Sequence, residues 1–274
     1  MVSRLFPRLA CGLLAALGLA IAVGTPTLAD AASFRISPAR YEFDLKGRYT
    51  DSFTITNTTD QRLRLRIYAN FVAYDEDNSP QEVGQHPFSM VPWLVIYPRR
   101  VSLEPLQKRV VRFTVRAPEE LAPGEYRAVV FFEELPGPPQ ERGTNSITTG
   151  FRVDLLTRIG VTMYGMVGDA NVDLSLHDQR TSQAEQQLRW QGRITNSGNT
   201  HVQVALECLL VAENGTTVSR ETVRAVVHRD GHAPVNVDFK LPPPGKYIIQ
   251  SRATWRDGVL FEAEHPVTVT GSGG

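Results

Sequence analysis

The sequence predicts an all-β protein of two tandem immunoglobulin-like β-sandwich domains following a signal peptide. Three observations carry this. Beyond the first 31 residues, short segments alternate apolar and polar side chains with period two, the spacing of strands with one apolar face. Clusters of Gly, Pro, Asn and Asp separate these segments, as the turns of a sandwich require. Two landmarks recur in the same order in both halves of the chain. Ile55-Thr56-Asn57 returns as Ile194-Thr195-Asn196, and Pro123-Gly124-Glu125-Tyr126 as Pro244-Gly245-Lys246-Tyr247.

Residues 1–31 read as a secretory signal. Arg4 and Arg8 open it, residues 9–23 are apolar or small, and Ala29-Asp30-Ala31 suits cleavage before Ala32. Cys11 lies early in the apolar run and not at the cleavage point, where a lipoprotein cysteine would sit. Export makes the periplasm the expected compartment, with secretion or the cell surface as alternatives. The chain carries 29 basic and 29 acidic residues, and 27 against 28 once the signal is removed. That balance lacks the basic excess of a nucleic-acid binder. Cys208 is the one cysteine beyond the signal, so an internal disulfide is excluded and the fold must rest on packed cores. No run after residue 31 reaches the length of a membrane span.

The first domain is expected over residues 32–166. Residues 34–43 read as its first strand, with Pro38 suiting an edge position. Phe53 and Ile55 mark the next strand. Leu63, Leu65, Ile67, Ala69 and Phe71 face one way on another, with Arg62, Arg64 and Arg66 on the wet side. Val111, Phe113 and Val115 repeat the scheme, and residues 126–132 form a nearly continuous apolar strand. A joint at residues 165–170 leads to the second domain, residues 167–274. There Val172, Leu174 and Leu176 alternate, then Leu188, Trp190 and Ile194, then Val202, Val204, Leu206, Cys208 and Leu210. Asn214-Gly215 and Asp257-Gly258 read as tight hairpin turns. The landmarks are offset by 139 and 121 residues, so the first copy is 18 residues longer between them, and residues 75–92 hold the excess.

Residues 147–163 are the strongest single signal. Seven of the nine odd positions are apolar, and Leu156 is the one apolar residue among the even ones. At roughly 3.3 Å per residue the strand would span about 55 Å, against usual strands of about 5–6 residues. One domain is too small to cover that face. The excess is offered to a partner or shared with the second domain.

Little else points to chemistry. The histidines His86, His177, His201, His228, His232 and His265 show no metal-ligand spacing beyond His228 and His232, which fall in a turn with Gly231. Asp75-Glu76-Asp77-Asn78 has the acidity of a calcium loop, but Pro80 and His86 stand where such a loop needs Gly and Glu. Trp93, Trp190 and Trp255 read as core anchors. No nucleophile elbow, Cys/His pairing or phosphate-cradling glycine loop is present, so neither an enzyme nor a cofactor is expected. Arg40, between Ala39 and Tyr41 on the first strand, could grip a carboxylate at a cleft or be an ordinary exposed arginine.

Several of these pieces, taken in order, resemble the periplasmic pilus-assembly chaperones of the PapD-like type. They are Ile36-Ser37-Pro38-Ala39-Arg40-Tyr41-Glu42-Phe43, residues 52–57 with 63–71, Trp93-Leu94 to Pro98, Leu103-Glu104-Pro105 with Val111-Arg112, residues 121–136, and residues 147–164. The resemblance covers roughly residues 34–165. It implies strand lending: the last strand of the first domain completes the sandwich of a subunit that lacks a strand, and a cleft arginine and lysine hold that subunit's terminal carboxylate. By position Phe151, Val153 and Leu155 match the lent residues and Arg40 the cleft arginine. The lysine position falls on Gly160, with Arg158 two residues earlier on the same face as the candidate replacement. Gly124-Glu125-Tyr126-Arg127 and Phe131-Phe132-Glu133-Glu134 depart from the family's diagnostic segment, the mark of a divergent relative. The implied partners are an incomplete β-sandwich subunit and an outer-membrane usher. The alternative expectation is a structural or adhesive module of the cell envelope, whose long strand completes its own sandwich.

Overall fold

The computed structural model describes residues 32–136, 156–256 and 258–271. Ten strands lie in the first half: β1 (Phe34–Ser37), β2 (Arg40–Asp44), β3 (Arg48–Asn57), β4 (Leu63–Tyr74), β5 (Pro80–Val83), β6 (Leu94–Tyr97), β7 (Arg100–Leu103), β8 (Lys108–Arg116), β9 (Gly124–Glu134) and β10 (Arg158–Val167). They form two sheets, one in the order β1-β3-β8-β6 and one in the order β2-β10-β9-β4-β5, with β7 also on β4. Seven more strands follow: β11 (Leu174–Ala184), β12 (Gln187–Asn196), β13 (Val202–Ala212), β14 (Thr217–Val227), β15 (His232–Lys240), β16 (Gly245–Trp255) and β17 (Gly258–Val269). These pair as β11-β12-β15 and β14-β13-β16-β17. Among the described residues no helix is long and apolar enough to cross a membrane.

The inward positions of the alternating segments fill two separate cores. Phe53, Leu65, Ile67, Phe113, Phe132 and Met163 are buried in the first; Trp190, Leu206, Cys208, Phe239 and Ile249 in the second. Arg62, Arg64 and Arg66 stand on the wet side of β4 as the alternation requires, with Arg62 and Arg66 paired to Glu104 and Glu133 at 3.2 and 2.9 Å. Trp190 is an enclosed core anchor, whereas Trp93 and Trp255 pack only against the margins.

The recurring landmarks do the same physical work in each half. Asn57 and Asn196 are both fully buried. Asn57 Nδ2 donates to the carbonyls of Gln61 and Glu104 at 2.7 and 3.0 Å, and its Oδ1 accepts from Thr59 N at 3.0 Å. Asn196 Nδ2 donates to Thr200 and Val227 carbonyls at 2.8 and 3.1 Å, and its Oδ1 accepts from Gly198 N at 2.9 Å. Each amide pins the turn after its strand, supplying partners that buried backbone groups would otherwise lack. The Pro-Gly-x-Tyr landmarks are tyrosine corners: Tyr126 donates to Ala122 O at 3.2 Å and Tyr247 to Pro243 O at 2.8 Å, each four residues upstream. The extra residues of the first copy fold β5 back on β4, Phe71 opposite Val83 and Tyr74 opposite Pro80.

Three expectations need correction. Residues 34–43 are two strands, not one. Pro38 has no N–H to give a ladder, and the chain crosses there between sheets: β1 pairs with β3, β2 runs parallel to β10. At the second hairpin, Trp255 already pairs with Gly258, so Gly258 begins β17 instead of forming the turn, and Arg256 takes the positive φ of 52°. Gly165 belongs to β10, so the joint begins later, at Gly168 with φ 69°. The acidic segment 75–78 is an exposed loop that carries bonds of its own. Asp75 Oδ1 accepts from the amides of Asp77 and Ser79 at 3.1 and 2.8 Å, and Glu76 forms an ion pair with Arg193 of the second half.

Candidate functional site

The site is built where the first strand leaves its sheet. β10 is paired with β9 along its whole length, from Arg158 opposite Glu133 to Val167 opposite Gly124. On its other side β2 covers only residues 162–166, starting with Arg40 opposite Thr162. A first strand that stayed in this sheet would cover residues 158–161 as well. The crossing at Pro38 removes it, and among the described residues no strand flanks that side of residues 158–161. Among the described residues their outward backbone groups are thus an open edge, the kind to which an extended segment can add. On the inner face of this edge Val161 is buried and Ile159 half-buried against the first core.

Arg40 stands where the open edge ends. Its guanidinium lies 4.6 Å over the Tyr164 ring, with Nε 2.6 Å from the exposed Glu42 carboxylate. Its Nη2 donates to Nε2 of His201, a residue of the second half. Arginine has no acceptor. His201 Nε2 is therefore the acceptor, and the imidazole is the neutral tautomer with its hydrogen on Nδ1. That Nδ1–H donates to Glu125 Oε2, which also accepts from His201 N at 3.1 Å and Thr200 Oγ1 at 3.0 Å. The His201 ring stacks on Tyr164 at 3.9 Å between centroids. Burial pushes the Tyr164 phenol up to about 12, partly opposed by Arg40 and Arg127, so it stays neutral beside the cation. Arg40, Glu42, Glu125, Tyr164, His201 and Trp255 line an open cavity of about 600 Å³ between the halves.

The same junction holds the halves together. Gly124 has φ 129°, and a Cβ there would come within 2.5 Å of Arg229 Nη1, so only glycine fits. Glu125 N donates to Asn199 O at 2.8 Å, and Arg229 Nη1 donates to Glu125 O at 3.2 Å. Tyr74 stacks on His228 at 4.5 Å. Burial lowers the His228 imidazole to about 3, with Arg127, His201 and Arg40 adding to the effect. His228 and His232 have different partners, Tyr74 for the first and Glu76 at 3.6 Å for the second.

Arg158 is not brought to the Arg40 cleft. It lies four residues before Thr162 on β10, roughly 13 Å along the strand. Its guanidinium pairs with Glu82 and lies 3.8 Å over the Phe131 ring. Gly160 is exposed, but a Cβ there would meet Val129 Cγ1 at 2.9 Å and Phe131 Cε1 at 3.1 Å. Val129 and Phe131 thus crowd the first atom of any side chain at this position. Phe151, Val153 and Leu155 lie outside the described residues.

Sequence reasoning missed His201, Glu125 and Tyr164. Glu125 carried a faint signal, since its counterpart in the second landmark is Lys246. Tyr164 continues the alternation of residues 147–163 on the polar face. His201 carried none, because its role depends on a contact across 161 residues.

No family model matches this chain, and no curated protein matches it. Solved structures are similar to it in fold. One is a chaperone–tip adhesin complex of CFA/I fimbriae biogenesis, 13% identical, covering 86% of this chain and 98% of that one, TM-score 0.49. Another is the class 5 fimbriae chaperone CfaA, 14% identical, covering 86% and 99%, TM-score 0.46. A third is the CsuC–CsuE pre-assembly complex of Acinetobacter baumannii, 12% identical, covering 86% and 98%, TM-score 0.47.

Proposed function

We propose that this chain is a periplasmic chaperone, with no catalytic activity, that binds incomplete β-sandwich subunits by strand addition. One observation carries it: the open edge of β10 at residues 158–161 ends at Arg40. A client segment running parallel to β10 along that edge would bring its terminal carboxylate to Arg40, where a guanidinium can bind through paired hydrogen bonds. In this function residues 32–166 are the capturing domain and residues 167–274 a second domain that helps wall the cleft. Phe151, Val153 and Leu155, upstream on the same chain segment, supply the apolar contacts, each contributing roughly 1.5–3 kcal/mol when buried. Arg40 alone anchors the carboxylate, since Arg158 is engaged with Glu82. An outer-membrane usher would be the partner that receives the complex.

The alternative, a structural or adhesive module, draws on the burial of Val161 and Met163 in the chain's own core. One experiment separates the two. The mature protein, purified from its own periplasm, carries a small β-rich subunit; Val153→Glu loses that subunit but keeps the circular dichroism spectrum and melting temperature of the parent. Recovery of no β-rich subunit, or a Val153→Glu protein that unfolds, would favour the structural module. Arg40→Ala should weaken capture of a subunit with a free C-terminus by about 10- to 100-fold and leave capture of an amidated one unchanged.

A further inference from the structure

We infer that His201, in the second half, is a positioning residue for Arg40, so that carboxylate recognition by the first half requires the second half to be docked. The inference rests on the carboxylate-anchoring role proposed for Arg40.

The geometry assigns His201 this part. An arginine side chain has many rotamers, and the Tyr164 face beneath Arg40 does not by itself fix the in-plane direction of the guanidinium. Glu42 could fix it, but that side chain is 59% exposed and sits on the same strand two residues on. Held by Glu42 alone, Arg40 would share the mobility of a surface pair. His201 differs in kind. Its side chain is 10% exposed and that of Glu125 is 4% exposed. Glu125 Oε2 holds its backbone N–H and its ring Nδ1–H, while the ring face rests on Tyr164. The imidazole has one orientation, and Nε2 in that orientation accepts from Arg40 Nη2. Nε is 2.6 Å from Glu42 as an ion pair but makes no hydrogen bond, and with one Nη2 hydrogen on His201, three Nη hydrogens remain for an incoming carboxylate. Such a carboxylate competes with the exposed Glu42, not with the buried His201. Glu125, at the start of β9, thus reaches Arg40 through a residue of the other half.

Four forms of the full mature chain test this: the parent, His201→Ala, His201→Phe and His201→Gln. The probes are two peptides copying the last strand of the captured subunit, one with a free C-terminal carboxylate and one amidated, with affinities measured by calorimetry. The parent should prefer the carboxylate by about 10- to 100-fold. His201→Ala should cut that preference to about threefold or less, while affinity for the amidated peptide stays within about twofold. His201→Phe keeps the stack on Tyr164 without an acceptor and should behave like His201→Ala, which covers the case in which the alanine variant fails to fold. His201→Gln should restore most of the preference, because its carbonyl accepts from Arg40 while its amide donates to Glu125. A parental preference in His201→Phe would overturn the inference. So would equal losses for both peptides, or a glutamine variant no better than phenylalanine. Equal affinities for the two peptides in the parent would instead refute the Arg40 anchor itself, before His201 is tested.

Discussion

Replacing Gly160 with alanine should destabilise the first sandwich, although alanine is ordinarily the better strand residue. Glycine inside a strand costs about 0.5–1 kcal/mol relative to alanine, because the unfolded chain loses more freedom. On that ground alone Gly160→Ala stabilises. The structure reverses the sign. The new Cβ would lie 2.9 Å from Val129 Cγ1 and 3.1 Å from Phe131 Cε1, with Phe131 Cδ1 at 3.4 Å. Phe131 can tilt, but Val129 is buried and branched at Cβ, so its methyl has little room to yield. Inserting a methyl group into a packed site costs about 1–3 kcal/mol. The net is a loss of about 1–2 kcal/mol. In a Val129→Ala background the closest contact vanishes, and Gly160→Ala should become neutral or stabilising by about 0.5 kcal/mol. The coupling between the two sites is then about 1–2 kcal/mol. Native-state hydrogen exchange at the amides of Val130 and Val161 reads this out for the first core alone, free of the second sandwich. Slower exchange in Gly160→Ala than in the parent would refute the steric account. So would a Val129→Ala background that leaves the sign unchanged. A side chain at position 160 would therefore require Val129 to shift.

Asn57→Ala and Asn196→Ala should each cost about 2–3 kcal/mol, because each strands buried backbone partners; exchange at β3 and β12 amides should show each loss confined to its own half. Stability should fall as pH drops from 6.5 toward 3, since burial holds His228 at about 3 in the folded chain, so the unfolded chain takes up the proton first. His86, also lowered by burial, adds to the fall. Above roughly pH 5 carboxylates contribute little, and His228→Phe should flatten the slope in urea titrations there; an unchanged slope would count against a buried neutral His228. Cys208, whose thiol burial pushes up to about 11, should resist thiol reagents until the second sandwich unfolds; labelling faster than unfolding would show the core is open.

Local patterns carried the fold a long way. The alternation in residues 63–71 and 202–210 became β4 and β13 with the expected faces inward, because period two leaves a strand one way to hide its apolar side. Asn214-Gly215 lies in the hairpin between β13 and β14 as expected, but not as a two-residue turn: Glu213, Asn214 and Gly215 form the loop, Gly215 N donates to Ala212 O at 2.8 Å, and Gly215 takes a positive φ of 82° while Asn214 does not. The landmark repeats were legible as repeats, but their meaning as buried asparagines and tyrosine corners was not, since each amide and phenol takes a partner set by the turn in space. The break at Pro38 was half legible: proline marked an edge, yet which sheet received each side of it depended on where β3 and β10 lay.

The site divides along the same line. By itself the sequence determined the two sets of strands, the long alternating segment through residue 163, and Arg40 as an arginine worth attention, all from residues within a few positions of one another. Only the tertiary structure decided that among the described residues no strand covers the β10 edge at residues 158–161, that Val129 and Phe131 crowd a Cβ at Gly160, and that Arg158 turns to Glu82 instead of joining Arg40. It also set His201 and Glu125 behind Arg40, from elements far apart in the chain. Periodicity records which face of a strand meets water. It holds no record of which side chain from a distant strand will stand across a junction, because that follows from how the sheets twist and pack.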